Sequence, residues 1–139
     1  MKILEVLTKA RLTGNKGEAA AAKYLRRHGY KILKRNYVAD NNEIDIIARN
    51  RTTLVFVEVK SRTVGTSDFL PRPAAAVDQK KQQAILKAAG IFIALNYEYR
   101  GLRQRFDVIE VYLENGKAKT VKHLINTFDR DTAYRRNYQ

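Results

Sequence analysis

Residues 42–60 read NEIDIIARNRTTLVFVEVK, and the placing of charges within this stretch decides the fold. Residues 54–60 (LVFVEVK) are apolar on both faces until their end, as a central strand covered on both sides would be. Glu58 and Lys60 stand two positions apart, so both point to the face that carries Leu54 and Phe56. A charge on that face is costly to bury unless something compensates it. Residues 43–48 form a neighbouring strand, and the polar stretch Arg49, Asn50, Arg51 and Thr52 joins the two as a β-hairpin. With the turn centred near residues 51 and 52, Asp45 faces Glu58. Directly opposed side chains share a face, with Cβ atoms roughly 4.5–5.5 Å apart. Two carboxylates at that spacing repel unless they are protonated or grip a cation. A slip of one residue would put them on opposite faces.

Working outward, residues 15–28 are rich in Ala and Leu, end at Gly29, and set Glu18, Ala21, Ala22 and Leu25 on one helical stripe. Residues 30–38 interleave apolar side chains with Lys and Arg, as a half-exposed strand does, and Asp40, Asn41 and Asn42 supply a turn. Residues 61–73 turn to Thr, Ser, Gly and Pro, the composition of a long surface loop able to move over a substrate. A second helix is expected over residues 75–97, with an apolar stripe through Val77, Ile85, Ala88 and Phe92. Strands over 105–113 and 117–125 flank the hairpin signal Asn115-Gly116. The order αβββαββ predicts an α/β fold, a mixed central sheet flanked by helices. It is read as one domain over residues 1–128, followed by a polar, basic tail at 129–139 that carries no structural expectation.

Both helices carry a charge where an apolar residue belongs. Glu18 lies on the stripe of Ala22 and Leu25, and Lys81 on that of Val77, Ile85 and Phe92. Five charged groups from four elements therefore aim inward. Asp45 and Glu58 would bind a hard divalent ion, and Lys60 would position the attacking water or stabilise charge on a phosphate. Glu18 would assist the metal or its water. Lys81 would contact a substrate phosphate, with Gln82 and Arg62 assigned beside it to substrate binding. Taken alone, the Glu58/Lys60 pair reads more simply as a same-face salt bridge at a strand end, and Glu18 or Lys81 alone could reach solvent along its stem. Their coincidence, with Asp45 thirteen residues upstream of Glu58, favours a site.

Composition sets the class of partner. The 139-residue chain has 27 Lys and Arg against 14 Asp and Glu, a net charge of +13. Such a surface gains affinity for DNA or RNA by releasing condensed counterions, without reading sequence. Charge alone would equally suit a solvated basic surface or a ribosome-associated protein. With no cysteine and two histidines, a metal must be held by carboxylates, which favours Mg²⁺ or Mn²⁺. No apolar stretch approaches the roughly 20 residues that span a bilayer, and the first residues lack the apolar core of a signal peptide. A soluble, cytoplasmic protein without membrane partners is expected.

Other polar residues read more plainly. Glu43 shares a face with Asp45 but opens its strand, where solvent serves it. Asp107 and Glu110 lie on opposite faces of their strand, so at most one faces the site, and Asp107 reads as a partner for a nearby Arg. His28 suits a helix C-terminus, and His123 has no evident nucleophile to activate. Tyr97, Tyr99, Tyr134 and Tyr138 stand near arginines and could stack on bases.

The segments GNKGEAAAAKYLRRHGYKILKRNY (14–37), NEIDIIA (42–48), LVFVEVKSR (54–62), KKQQAILKAA (80–89) and RFDVIEV (105–111) together resemble the YraN-like uncharacterised bacterial proteins. Those belong to the PD-(D/E)xK restriction-endonuclease-like superfamily, in its Holliday-junction-resolvase-like branch. The resemblance implies that Asp45 is the metal-binding Asp, Glu58 the second acidic ligand, Lys60 the catalytic Lys and Glu18 the helix Glu of the resolvase-like branch. Ile44 stands where the superfamily has Pro, and Asn42 where the family has Gly, a position at which Asn also tolerates positive φ. The expected activity is a Mg²⁺-dependent endonuclease acting on DNA, branched or structured, working as a homodimer. The competing expectation is a non-catalytic nucleic-acid-binding protein that keeps the nuclease fold.

Overall fold

The computed structural model describes the backbone of residues 2–64 and 77–136, and the side chains of residues 14–64 and 77–136. In chain order it contains α1 (Lys2–Arg27), β1 (Lys31–Ala39), β2 (Asn42–Arg49), β3 (Thr53–Thr63), α2 (Gln79–Leu95), a 3₁₀ turn (Tyr97–Tyr99), β4 (Arg103–Glu114), β5 (Lys117–Leu124) and α3 (Arg130–Ala133). The expected αβββαββ order is present, with one short helix added. The strands form a five-stranded sheet in the order β1-β2-β3-β4-β5. Every neighbouring pair is antiparallel except β3 and β4, which are parallel and are linked by the crossover that contains α2.

Turn chemistry closes each hairpin. Asp40 and Asn41, both at positive φ, connect the paired residues Ala39 and Asn42. Asn115 and Gly116 do the same between Glu114 and Lys117. At the β2–β3 turn the Asn50 side-chain oxygen accepts hydrogen bonds from the backbone N–H of Thr52 and Thr53, at 3.0 and 2.8 Å.

The central strand is covered on both sides, as its apolar run predicts. Leu54 and Phe56 join Phe106 and Val108 beneath Ile85, Ala88 and Phe92 of α2. Val55 and Val57 join Ile109 and Val111 beneath Ala21, Ala22 and Leu25 of α1. The two helices therefore lie on opposite faces of the sheet. Each fully buried aliphatic or aromatic side chain contributes roughly 1.5–3 kcal/mol, so this double layer fixes the register of β3.

Several boundaries differ from expectation. α1 begins at Lys2, not near residue 15, because the helix runs through Gly14, Asn15 and Gly17, whose intrinsic cost of about 1 kcal/mol per glycine is tolerated. α2 ends at Leu95, where Asn96 N–H caps Phe92 and Ile93 carbonyls. β3 continues through Thr63, into the start of the expected loop at 61–73; the remainder of that loop and the expected helix start at residue 75 lie outside the described residues. Tail residues Arg130–Ala133 form α3, with Asp129 as its capping-box residue and Ala133 buried. Among the described residues, no helix is long and apolar enough to cross a membrane.

Gly17 is buried where α1 crosses the end of β3. A Cβ there would come within 1.8 Å of Ser61 Oγ and 3.0 Å of Ser61 Cβ. Gly17→Ala gains helix propensity but overpacks this contact, and overpacking costs about 1–3 kcal/mol. A net loss of about 1 kcal/mol is expected by urea denaturation, partly recovered when Ser61→Ala is added, since the Oγ clash is then gone. A stabilised Gly17→Ala protein would show that α1 can lift off β3 at no cost.

Candidate functional site

β2 and β3 pair from Arg49↔Leu54 to Ile46↔Val57, and there the ladder stops. Continuing the register by one residue sets Asp45 across from Glu58, the pairing read from the sequence. The strands instead open into a fork, and Asp45 Oδ2 accepts a hydrogen bond from Val59 N–H at 2.8 Å. The carboxylate thus takes the place of a backbone acceptor. A matching irregularity lies on the other side of β2. β1 pairs through Arg35↔Ile46 and Tyr37↔Ile44, and Asn36 between them sits at φ 50°. Ile44 and Ile47 both pack in the α2 layer while Ile46 and Ala48 pack in the α1 layer, so the alternation of faces breaks at Asp45.

At this break the carboxylate can interact with both helices. Glu18 of α1 and Glu58 of β3 each bring a buried Oε2 that accepts no hydrogen bond. Each has a long ion pair at the rim: Arg35 Nη2 is 3.8 Å from Glu18 Oε2, and Lys81 Nζ is 3.8 Å from Glu58 Oε2. At that length an ion pair supplies charge but no hydrogen bond.

The electrostatics are those of crowded acids. Burial, then the Asp45 charge, raises the Glu58 carboxyl to about 7, against the pull of Lys81 and Lys60. Asp45 is also raised, by burial, although Val59 N–H, Lys81 and Lys60 all favour its ionised form. Glu18 is raised by burial and by Asp45, with Asn36 and Arg35 opposing. Glu43 raises all three through its charge, which gives this strand-start residue an electrostatic part in the site.

The structure therefore brings Glu18, Asp45, Glu58, Lys60 and Lys81 together electrostatically, although α1 and α2 approach from opposite faces. Arg62 lies further along β3, two residues beyond Lys60 and paired in the ladder with Tyr112. Gln82 is placed elsewhere. It is buried, its Nε2 donates to the Val77 carbonyl at 2.7 Å, and its Oε1 accepts from Thr132 Oγ1 at 2.9 Å, so both ends of the amide bind the protein itself. Arg35 and Asn36 are the site residues that sequence reading missed. The strand-interior Asn, costly in a regular strand, was the available signal. Glu110, in register with Lys60, is buried and accepts from the Tyr112 hydroxyl at 2.6 Å.

Asp107 belongs to a separate, closed network. Arg105 Nε and Nη2 donate to it at 3.0 and 2.9 Å, Asn126 N–H at 2.9 Å, and His123 Nε2 at 2.7 Å. With Nε2 as the donor, His123 Nδ1 accepts from Tyr24 O–H at 3.2 Å, and Arg105 also donates to the Tyr30 hydroxyl at 2.6 Å. Burial opposes the Asp107 charge, but His123, Arg105 and Asn126 N–H outweigh it and hold the carboxyl below its ordinary range. The Arg partner expected for Asp107 is Arg105. His28 Nδ1 donates to the Tyr24 carbonyl at 2.8 Å, near the end of α1, as its position predicted.

The residues that build the fork lie within a recognised stretch. The model of Uncharacterised protein family UPF0102 matches residues 17–111. A UPF0102 protein of Caldanaerobacter subterraneus subsp. tengcongensis is 44% identical over 117 residues, covering 83% of this chain and 93% of its own length. One from Geobacter metallireducens is 44% identical over 116 residues, covering 84% and 91%. One from Persephonella marina is 38% identical over 120 residues, covering 86% and 96%. The match takes in Glu18, Asp45, Glu58, Lys60 and Lys81 together, and the chain belongs to the uncharacterised protein family UPF0102.

Proposed function

We propose that this chain is a metal-dependent phosphodiesterase acting on DNA, with the β2–β3 fork as its site. The observation that carries the reading is the pair of buried carboxylate oxygens, Glu18 Oε2 and Glu58 Oε2, left without hydrogen-bond donors around Asp45. Buried polar atoms are nearly always satisfied, and exceptions concentrate where an ion or a reaction is awaited. Oxygen donors without thiolate or imidazole suit Mg²⁺ or Mn²⁺. Among the described residues no three acidic or histidine side chains converge to cage an ion. The reading therefore asks for no more than the two carboxylates Asp45 and Glu58, the number with which Mg²⁺, keeping several waters, is commonly held.

Asp45 and Glu58 would hold the ion and Glu18 would assist. Bound there, the ion supplies an activated water and neutralises charge on the phosphate. Val59 N–H fixes the Asp45 carboxylate so that its second oxygen keeps one direction. Lys60 stands on the same strand as Glu58, where its charge already favours both ionised acids, and it would orient the water or stabilise the developing phosphate charge. Lys81 can exchange its long pairing with Glu58 for a substrate phosphate. The net charge of +13 draws the polyanion in. Branched DNA, cut by two copies of the chain, is the substrate form that the resolvase-like resemblance favours.

Incubation with linear duplex, single-stranded and four-way-junction DNA, with and without Mg²⁺ or Mn²⁺, tests this. Cleavage that needs the ion is expected, falling at least about 100-fold in Asp45→Asn and in Lys60→Ala. Cleavage that survives in both variants would identify a contaminant. Binding by the wild-type protein without any cleavage would leave the non-catalytic nucleic-acid-binding protein as the better reading.

A further inference from the structure

The C-terminal segment is held against α2 by glutamines. Gln79 Nε2 donates to the Thr132 and Arg135 carbonyls at 3.1 and 2.8 Å, and Gln83 Nε2 donates to the Ala133 carbonyl at 2.8 Å. Thr132 Oγ1 donates to Gln82 Oε1. Buried Phe128 and Ala133 anchor the same segment from beneath. Three amides on the first turns of one helix, Gln79, Gln82 and Gln83, thus fix a short, otherwise polar piece of chain in place.

The fixed segment forms one wall of a cleft of about 580 Å³, whose floor is the exposed side of α2 and whose third side is the β1–β2 turn. Its charged lining is Lys80, Lys87, Arg130 and Asp40. Lys87 is paired with Asp40 at 2.7 Å, so the excess positive charge of the cleft rests on Lys80 and Arg130. Tyr134 lines it too and stays 54% exposed. Cations with an open aromatic ring form the combination that takes a nucleic-acid strand, phosphates on the charges and a base on the ring. Inside a duplex both faces of each base are already stacked, so a ring set in a cleft can receive only an unpaired base.

The cleft also lies beside the fork. Lys80 lines it, and the next residue, Lys81, reaches Glu58. Asn42 lines it and opens β2, three residues before Asp45.

We propose that the cleft between α2 and α3 binds a single-stranded segment of the nucleic-acid substrate, with phosphates on Lys80 and Arg130 and a base stacked on Tyr134. This rests on reading the fork as a phosphodiesterase site and sharpens it: the substrate carries an unpaired stretch next to the bond that is cut, as a single-stranded flap or the splayed tail of a forked duplex does.

The test uses the full chain in EDTA, with a fluorescein-labelled thymidine 20-mer and a blunt duplex of equal length, read by anisotropy. Tyr134→Ala is expected to weaken single-strand binding by about 5-fold or more, Tyr134→Phe to restore it, and neither to change duplex binding. Lys80→Ala with Arg130→Ala is expected to lower the slope of log affinity against log salt for the single strand by about 1.4, at roughly 0.7 per phosphate lost. The three residues changed, Lys80, Arg130 and Tyr134, are all exposed, and a thermal melt checks that each variant folds. Unchanged single-strand affinity in Tyr134→Ala overturns the proposal, as does an equal loss for duplex and single strand. Because no metal is present and nothing is cut, failure here leaves the cleavage assay standing, and failure to cleave leaves this measurement standing.

Discussion

Glu58→Gln is expected to make the metal-free protein more stable at pH 8, by up to about 3 kcal/mol, while removing its stabilisation by Mg²⁺. The sign follows from the raised carboxyl, which moves from 4.5 to about 7 in the folded chain. Below about pH 4.5 the group is protonated whether the chain is folded or not. Between 4.5 and about 7 the unfolded chain releases the proton and the folded chain keeps it, so stability is lost progressively as pH rises through this window. Above it, the folded protein carries a buried charge whose only ion-pair partner among the described residues stands 3.8 Å away. A neutral amide avoids that cost. Urea denaturation in EDTA at pH 5, 6, 7 and 8 should show the wild-type midpoint falling and the variant falling less, since Asp45 and Glu18, also raised by burial, remain. Adding Mg²⁺ at pH 8 should then raise the wild type by mass action and leave the variant unmoved. A variant less stable than wild type at pH 8 would mean that the Lys81 pairing outweighs burial, and Glu58 would then be an ordinary salt-bridge residue.

That alternative is the one the triplet Glu58, Val59, Lys60 suggests when read alone, and it shows how far sequence reading reaches here. The hairpin over residues 42–60 was legible because β3 is buried on both faces and only one register keeps its apolar residues inside. The charges of Glu18 and Lys81 were legible as breaks in helical stripes. Details that depend on backbone were not. Asp45 binds Val59 N–H, a donor that every residue type but proline offers, and Asn36 bends β1 through a φ value that no pattern of polarity records. Gln82 reads as a substrate residue beside Lys81, yet it falls in phase with the buried Ile85 and Ala89 of α2, which places it inward. One of its partners, the Val77 carbonyl, is local, but the other, Thr132, lies fifty residues away in a segment without periodicity, and no pattern pointed to it. The start of α1 was hidden for the opposite reason, since Gly14, Asn15 and Gly17 imitate a turn within a helix that continues.

Asp107→Ala is expected to cost about 3–5 kcal/mol, a large part of the 5–15 kcal/mol that typically holds a domain folded. The carboxylate is fully buried and receives hydrogen bonds from Arg105, His123 and Asn126 N–H. Removing it strands a half-buried guanidinium, a buried imidazole donor and a backbone N–H at once. Asp107→Asn should fall between, because one of its two acceptors becomes a donor facing donors. Urea denaturation at pH 7 measures both; a loss below about 1 kcal/mol in Asp107→Ala would mean that water replaces the carboxylate at no cost. Acid separates this group from Glu58. The Asp107 carboxyl is held below 3.8, so its contribution is present above 3.8 and is lost as pH falls through the lower folded value. Glu58 acts in the reverse sense, with stability lost as pH rises from 4.5 to about 7. Two buried acids on adjacent strands thus titrate in opposite directions, and the difference lies in their donors. Asp107 has a donor for each oxygen and stays charged as part of the scaffold, whereas Glu58 keeps one oxygen without a donor. In the double variant Glu58→Gln with Asp107→Ala, both slopes of the pH profile should flatten independently, since the two groups share no hydrogen-bond partner. A non-additive profile would mean that the scaffold network and the fork are coupled through β4.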